Sequence, residues 1–106
     1  MRYFPYAKSP GETRFVTIDF TLDLPPAVTL VGMPTLKAPF VYSGVPDPNA
    51  GTMLTGTLTT NGNILGQLLQ GGIAGNVYAV EGAWPASNGE IIEVGALLTV
   101  LPSYLQ

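Results

Sequence analysis

The acidic side chains are the first candidates for chemistry, because the chain contains no histidine and no cysteine. A histidine-dependent nucleophile, thiol chemistry and cysteine-based metal sites are therefore impossible within it. Asp19 and Asp23 lie four residues apart on one predicted strand, which separates their α-carbons by about 13 Å. A glycosidase pair needs carboxyl groups about 5–9.5 Å apart. The spacing therefore predicts two solvated carboxylates rather than a catalytic pair.

Other polar motifs also lack the partners that their chemistry would require. Asp47 and Asn49 could offer calcium two oxygens, but calcium takes six to eight. Glu81 could meet Glu93 across a pair of strands, which would still be only two carboxylates. The glycine-rich segment 71–75 precedes a predicted strand, whereas a dinucleotide cradle opens a helix. We therefore expect no enzyme activity, no cofactor and no metal site.

Aromatic residues are the stronger candidates for function. Tyr3, Phe4 and Tyr6 fall within the first six residues, and aromatic side chains are enriched in the cores of protein interfaces. Together with Trp84 and Tyr104 they form the predicted protein interface. Two alternatives are that the head packs on its own domain or stacks on carbohydrate. If the head docks on a neighbouring chain, deleting residues 2–7 should leave the melting temperature of the isolated domain nearly unchanged.

Composition narrows the classes of partner. Charged residues make up 10% of the 106 residues, against roughly 25% in an average soluble domain. The net charge of −3 argues against a nucleic-acid partner held through its phosphates. No apolar run approaches the ~18 residues of a membrane-spanning helix, so we expect no membrane partner.

The strands that must position these residues are predicted from apolar and polar side chains that alternate with a period of two residues. Along residues 14–24 the apolar side chains alternate with polar ones, which predicts a half-buried strand. Proline at position 39 demotes the weaker strand that contains it to an edge or a bulge. Further strands are predicted at 27–33, 35–42, 53–60, 63–69, 77–84 and 91–101. About seven short strands at this spacing predict an all-β, antiparallel immunoglobulin-like β-sandwich over residues 13–106, with an extended N-terminal arm over residues 1–12. A small closed barrel is the main alternative.

Tyr78 sits where a tyrosine corner belongs, at the entry to the penultimate strand. Its hydroxyl is expected to hydrogen-bond with the backbone a few residues upstream, near Ala74. Loss of that one hydrogen bond should cost about 1 kcal/mol of stability. The alternative is that Tyr78 is a packed ring without this bond.

Four segments resemble a family of small immunoglobulin-like virion proteins of tailed bacteriophages, the fibre–tail adaptor or neck-associated proteins. The first reads Lys-Ser-Pro-Gly-Glu-Thr-Arg-Phe-Val-Thr-Ile-Asp-Phe over residues 8–20. The others are Met-Leu-Thr-Gly at 53–56, Gly-Gly-Ile-Ala-Gly-Asn-Val-Tyr at 71–78, and Asn-Gly at 88–89 with the strand that follows. The resemblance covers residues 8–101, and Trp84-Pro85 departs from the family pattern.

The resemblance implies a structural protein of the virion, an adaptor at the neck or tail that helps to attach fibres. Its partners would be other virion proteins of the neck, tail or fibre, within a symmetric assembly. The alternatives are a capsid-surface decoration protein of the same fold and a carbohydrate-binding module that contacts the host surface. Fold alone does not decide between these functions.

Overall fold

Strands make up most of the secondary structure of the computed structural model, which describes residues 1–102. The eight strands are β1 (Arg2–Lys8), β2 (Arg14–Asp19), β3 (Thr35–Leu36), β4 (Phe40–Ser43), β5 (Leu54–Asn61), β6 (Ile64–Leu69), β7 (Val77–Pro85) and β8 (Ile91–Val100). Two 3₁₀ helices, Thr21–Asp23 and Ala50–Met53, lie between strands. The all-β prediction is therefore confirmed.

The strands form two sheets that pack face to face. The larger sheet has the order β1-β8-β7-β3, with β4 also paired to β7, and the smaller sheet has the order β2-β6-β5. Every pairing is antiparallel except that of β1 with β8. The predicted β-sandwich is thus observed, with one parallel pair that the sequence did not predict.

The predicted N-terminal arm is a strand of the larger sheet. Residues 2–8 pair in parallel with residues 94–100, from Arg2 opposite Val94 to Lys8 opposite Val100. Pro5 is tolerated because β1 lies at the edge of the sheet, where a missing N–H need not break a ladder. The division into an arm over 1–12 and a domain over 13–106 is therefore wrong for β1, which belongs to the sandwich.

The core lies between the two sheets and follows the predicted alternation. On β8 the even-numbered residues from 92 to 100 are buried, and the same holds for the even-numbered residues 78, 80 and 84 of β7. The smaller sheet contributes its own inward side chains to the same cluster, namely Val16, Ile18, Leu65 and Leu69. Because both sheets contribute to this one cluster, the sheets and their outer faces are held at fixed positions.

The first predicted long strand ends five residues early. Asp19 Oδ1 accepts a hydrogen bond from the N–H of Thr21 at 2.9 Å, and the chain turns into the 3₁₀ helix Thr21–Asp23. An aspartate that bonds to the backbone two residues on competes with the ladder of a sheet. Leu22, predicted to face inward, is therefore exposed.

The region after this turn is mostly irregular. The strand predicted at 27–33 is reduced to one isolated bridge between Leu30 and Ala86. Ala27 has a φ of +64°, which an extended strand cannot contain. The strand predicted at 35–42 is divided into β3 and β4 around Pro39, as the proline suggested.

Tyr78 forms the predicted corner. Its buried hydroxyl accepts a hydrogen bond from the N–H of Ile73 at 2.7 Å, close to the predicted region. It also accepts one from the Asn76 amide at 3.3 Å and donates one to Asp47 Oδ2 at 2.7 Å. The hydroxyl therefore ties the corner to the long loop between β4 and β5.

We expect Tyr78→Phe to destabilise the protein by about 1–3 kcal/mol, because the substitution leaves buried groups without their partner. This is more than the single hydrogen bond considered from the sequence. Urea denaturation followed by far-UV circular dichroism measures the loss. Tyr42→Phe is the matched control, since that hydroxyl is exposed. Equal midpoints for the two variants would contradict the role of the corner.

Candidate functional site

The outer face of the larger sheet brings one of the predicted interface residues together with aromatic residues from distant parts of the chain. Alternate residues of β8 are buried in the core, so Gly95 and Leu97 point outward. Tyr3 pairs with Gly95 across β1 and β8 and shares this face. Phe40 belongs to β4, which flanks β7 at the other edge of the sheet from β1. It pairs with Ala79, and its side chain also faces outward. We call this surface the outer aromatic face, defined by Tyr3, Lys37, Phe40, Tyr42 and Glu81.

The ring of Tyr3 packs directly on the backbone of β8 because residue 95 is glycine. A Cβ at that position would come within 2.8 Å of two carbons of the Tyr3 ring and 2.9 Å of the Val80 carbonyl oxygen. Such contacts are too close for any side chain, so only glycine allows this approach. From there the Tyr3 hydroxyl reaches β7 and donates a hydrogen bond to Glu81 Oε2 at 2.5 Å.

Two further aromatic rings extend the surface from the β4 side. The rings of Tyr3 and Tyr42 meet edge to face, with centroids 5.9 Å apart and an interplanar angle of 62°. Ala79 has no exposed surface although it faces outward. The covering rings remain accessible themselves, with Phe40 41% and Tyr42 56% exposed. The face is thus an ordered aromatic layer supported by strands.

One ion pair lies within this aromatic layer. Lys37 Nζ lies 3.4 Å from Glu81 Oε1, and the side chain of Glu81 is only 12% exposed while that of Lys37 is 65% exposed. The N–H of Lys37 also donates to the Glu81 carbonyl at 2.9 Å. The carboxylate is therefore fixed by two side chains, and the ammonium group remains available to a ligand or a partner.

The hydrogen bond to Glu81 raises the pKa of Tyr3 from its ordinary 10.0 to about 12, with burial and the negative charge of Glu81 acting in the same direction. The folded state thus favours the protonated phenol. Its contribution to stability is fully present below pH 10 and is lost as the pH rises from 10 to about 12.

When the pH is raised from 9 to 11.5, we expect the free energy of unfolding of Tyr3→Phe to fall by less than that of the unsubstituted chain. Urea midpoints at the two pH values measure the difference. Tyr42→Phe is the control, since no hydrogen bond joins its hydroxyl to Glu81, and it should lose stability like the unsubstituted chain. An identical loss in Tyr3→Phe would show that the phenol is not linked to folding.

No protein-family model matches the chain, and no curated protein is significantly similar to it. The function must therefore be argued from the residues and from their arrangement.

The structure separates the other predicted interface residues from Tyr3. Phe4 and Tyr6 point toward the inside of the sandwich, where they pack against the core. The Tyr6 hydroxyl accepts a hydrogen bond from the N–H of Thr17 at 3.1 Å and donates one to the Thr17 carbonyl at 2.8 Å. These two half-buried rings contribute to the protein's own fold, and a contact of either ring with a partner stays a prediction.

Trp84 is unavailable to a partner, because it is 5% exposed and belongs to the core. Its ring meets Phe20 edge to face at 5.5 Å, and Nε1 donates to the Gly32 carbonyl at 3.3 Å. The predicted contact of Trp84 with a partner is therefore wrong. Tyr104 lies outside the described residues.

No three acidic side chains of residues 1–102 come together in a way that could hold a metal ion. Glu81 is opposite Gly95, and Glu93 is opposite Ala83, so the two glutamates do not face each other directly. Residues 1–102 also contain no helix of the length and apolarity needed to cross a bilayer.

Sequence reasoning missed Lys37, Phe40 and Tyr42, which complete the outer aromatic face. Their place depends on the pairing of β3 and β4 with β7, which no local pattern specifies. One signal was present in the sequence, namely Gly95 in the middle of a strand. An interior glycine often marks the close approach of another group.

Proposed function

We propose that the protein is a structural subunit of a tailed-phage particle that docks on another virion protein through its outer aromatic face. The observation that carries this proposal is the exposure of Phe40 and Tyr42 on an ordered sheet in a chain with 10% charged residues. Soluble monomers seldom combine low charge with an apolar patch of this kind. Burial against a neighbouring chain would resolve the conflict.

The chemistry of the face suits protein docking. Aromatic rings on a rigid support lose little entropy on binding, and each can bury about 150–250 Å². Rings of this kind are common among the residues that dominate binding energy. The exposed Nζ of Lys37 beside the half-buried Glu81 adds a polar contact that can fix the orientation of the partner.

The strand order supports the immunoglobulin-like fold that the resemblance implies. Constant-type immunoglobulin domains place strands A, B, E and D in one sheet and C, F and G in the other. The orders β2-β6-β5 and β4-β7-β8 follow B-E-D and C-F-G. Strand β1 differs, since it pairs with β8 rather than with β2.

Carbohydrate binding is a second candidate function, and the same surface favours it. A carbohydrate-binding module presents two or three aromatic rings on one rigid face with polar groups beside them. Tyr3, Phe40 and Tyr42 meet this description, with Lys37 and Glu81 as the polar groups. A host-surface polysaccharide would then be the ligand.

The experiment compares the double substitution Phe40→Ser and Tyr42→Ser with Phe15→Ser on the outer face of the smaller sheet. Phe15 is exposed to a similar degree, so it controls for a general loss of apolar surface. Incorporation is measured by quantitative immunoblot of particles assembled with the other virion proteins of the same phage. We expect at least a tenfold lower incorporation of the double variant than of Phe15→Ser, measured at a temperature at which both variants remain folded.

Two other results would count against docking. Unchanged incorporation of the double variant would contradict the proposed role of the outer aromatic face. Binding of a monomer to host polysaccharide, lost in the double variant and retained in Phe15→Ser, would favour the second candidate function.

A further inference from the structure

Five large apolar side chains that are exposed to solvent lie at one end of the sandwich. They are between 43% and 78% exposed. We call this end the tip, defined by Met1, Leu22, Val31, Met33 and Ile91. It is the end where β1 and β8 begin and where β2 and β7 finish.

Hydrogen bonds and an ion pair hold the loops of the tip together. The N–H of Val31 donates to the Pro85 carbonyl at 2.9 Å, and Pro85 is paired with Ile91. Arg2 at the start of β1 forms an ion pair with Asp23, beside Leu22. Trp84 anchors the backbone next to Met33 through the Gly32 carbonyl. The apolar side chains are thus presented by a fixed backbone rather than by free loops.

The net negative charge of the protein is located at the same end. The tip carries the carboxylates of Asp19, Asp23, Glu90 and Glu93 and one guanidinium, that of Arg2, so its side chains have a net charge of −3. In the rest of the chain three basic and three acidic side chains cancel. Hydrogen bonds from Thr21 lower the pKa of Asp19 further below its ordinary value.

We propose that the tip inserts into an apolar depression on a partner protein whose rim is basic. This inference rests on the proposed function and adds to it a second docking surface. The exposed apolar side chains define the surface, since such a group is costly to leave in water. The acidic rim selects the partner, because complementary potentials favour encounter and reject surfaces of like charge.

The same rim argues against a membrane as the occupant. Cytoplasmic leaflets and other anionic lipid surfaces carry negative potential, and four carboxylates around the tip would be repelled. A basic protein surface attracts them. An adaptor must hold two neighbours, and the outer aromatic face, which is nearly neutral, and the tip, which is acidic, are two surfaces of different charge.

Site-specific photo-crosslinking tests the inference on full-length protein assembled into particles. A benzophenone amino acid replaces Met33 in the tip, Tyr42 in the outer aromatic face, or Val45 at the opposite end of the sandwich. Val45 is also exposed and serves as the control. We expect the label at position 33 to crosslink to a protein peptide that contains apolar residues together with lysine or arginine.

The crosslinked partner is then purified and titrated against the protein. Raising NaCl from 50 to 500 mM should weaken binding on the order of tenfold, because salt screens exposed charges over about 10 Å at 0.1 M. Glu90→Gln with Glu93→Gln should weaken binding at low salt and reduce this dependence. Glu12→Gln, at the opposite end, should do neither.

The outcomes separate this inference from the proposed function. Crosslinks from position 42 without any from position 33 would overturn the inference and leave the proposed function supported. Crosslinks from neither position would overturn both. A partner without basic residues, or crosslinks to lipid, would overturn the proposed chemistry of the occupant.

Discussion

Deletion of residues 2–7 is expected to abolish cooperative folding of the isolated chain. These residues supply nearly all of β1, which pairs with β8 along seven positions. Their loss would uncover the edge of β8 and the part of the core beneath Phe4 and Tyr6. Each aromatic ring removed from such a site costs about 1.5–3 kcal/mol, and a domain of this size has only about 5–15 kcal/mol to lose.

Circular dichroism during thermal unfolding measures the effect. We expect no cooperative transition at or above 25 °C in the deleted chain. Tyr6→Phe keeps the ring and removes only the hydrogen bonds with Thr17, so it should cost about 1–2 kcal/mol and retain the transition. A deleted chain with an unchanged melting temperature would mean that β1 detaches freely, as the expectation from the sequence had it.

The sequence could not reveal β1 because its pairing leaves no local sign. Antiparallel neighbours such as β7 and β8 are joined by a short turn, and the Asn-Gly pair at 88–89, a dipeptide typical of hairpin turns, lies in that turn. Strand β1 is parallel to β8 and separated from it by most of the chain. Pro5 and the aromatic residues around it favoured an extended segment, which is correct, but they do not specify what the segment pairs with.

The predicted core was accurate where the strands are long and regular. The alternation of β2, β7 and β8 placed Val16, Tyr78 and Leu98 inside, and all three are buried. Beyond Asp19 the prediction holds for Phe20, which is buried, but not for Leu22, because a hydrogen bond from the Asp19 side chain to the backbone ends the strand while the apolar alternation continues to Leu24. The alternation of apolar and polar residues therefore identifies the inner face of a strand but not the point at which the strand ends.

The first hairpin turn shows a smaller error of the same origin. The pair Asn61-Gly62 is a dipeptide favoured at the centre of a two-residue type I′ turn, which is what the sequence predicts here. In the structure Asn61 pairs with Ile64, so the turn is centred on Gly62 and Asn63. Gly62 has a φ of +61° and Asn63 has no positive φ, which is the pattern of a type II′ turn. The dipeptide identified the hairpin, and the pairing of the strands decided its register.

The outer aromatic face could be predicted only in part. Tyr3 was selected for its residue type, and the selection was useful because its ring does lie on an exposed surface. Trp84 was selected for the same reason and lies in the core. Residue type cannot separate the two, but alternation along the strand can for Trp84, which lies an even number of residues from the predicted core residue Tyr78 on β7. The face that Tyr3 occupies could not be derived in this way, because the partner of β1 was unknown.

Trp84→Ala provides the sharpest test of this distinction, and we expect it to destabilise the protein by about 3–5 kcal/mol. The indole is buried against Phe20, so its removal leaves a cavity and the Gly32 carbonyl loses its donor. Trp84→Phe should recover most of the stability, because a ring still fills the site. Ile91→Ala is the matched control on the same hairpin and should change stability by less than about 0.5 kcal/mol, since Ile91 is exposed. Urea denaturation followed by circular dichroism gives all three values without relying on indole fluorescence. If Trp84→Ala left the unfolding midpoint unchanged and weakened assembly instead, Trp84 would be a partner contact after all, and the inward parity assigned to β7 would have to be reversed.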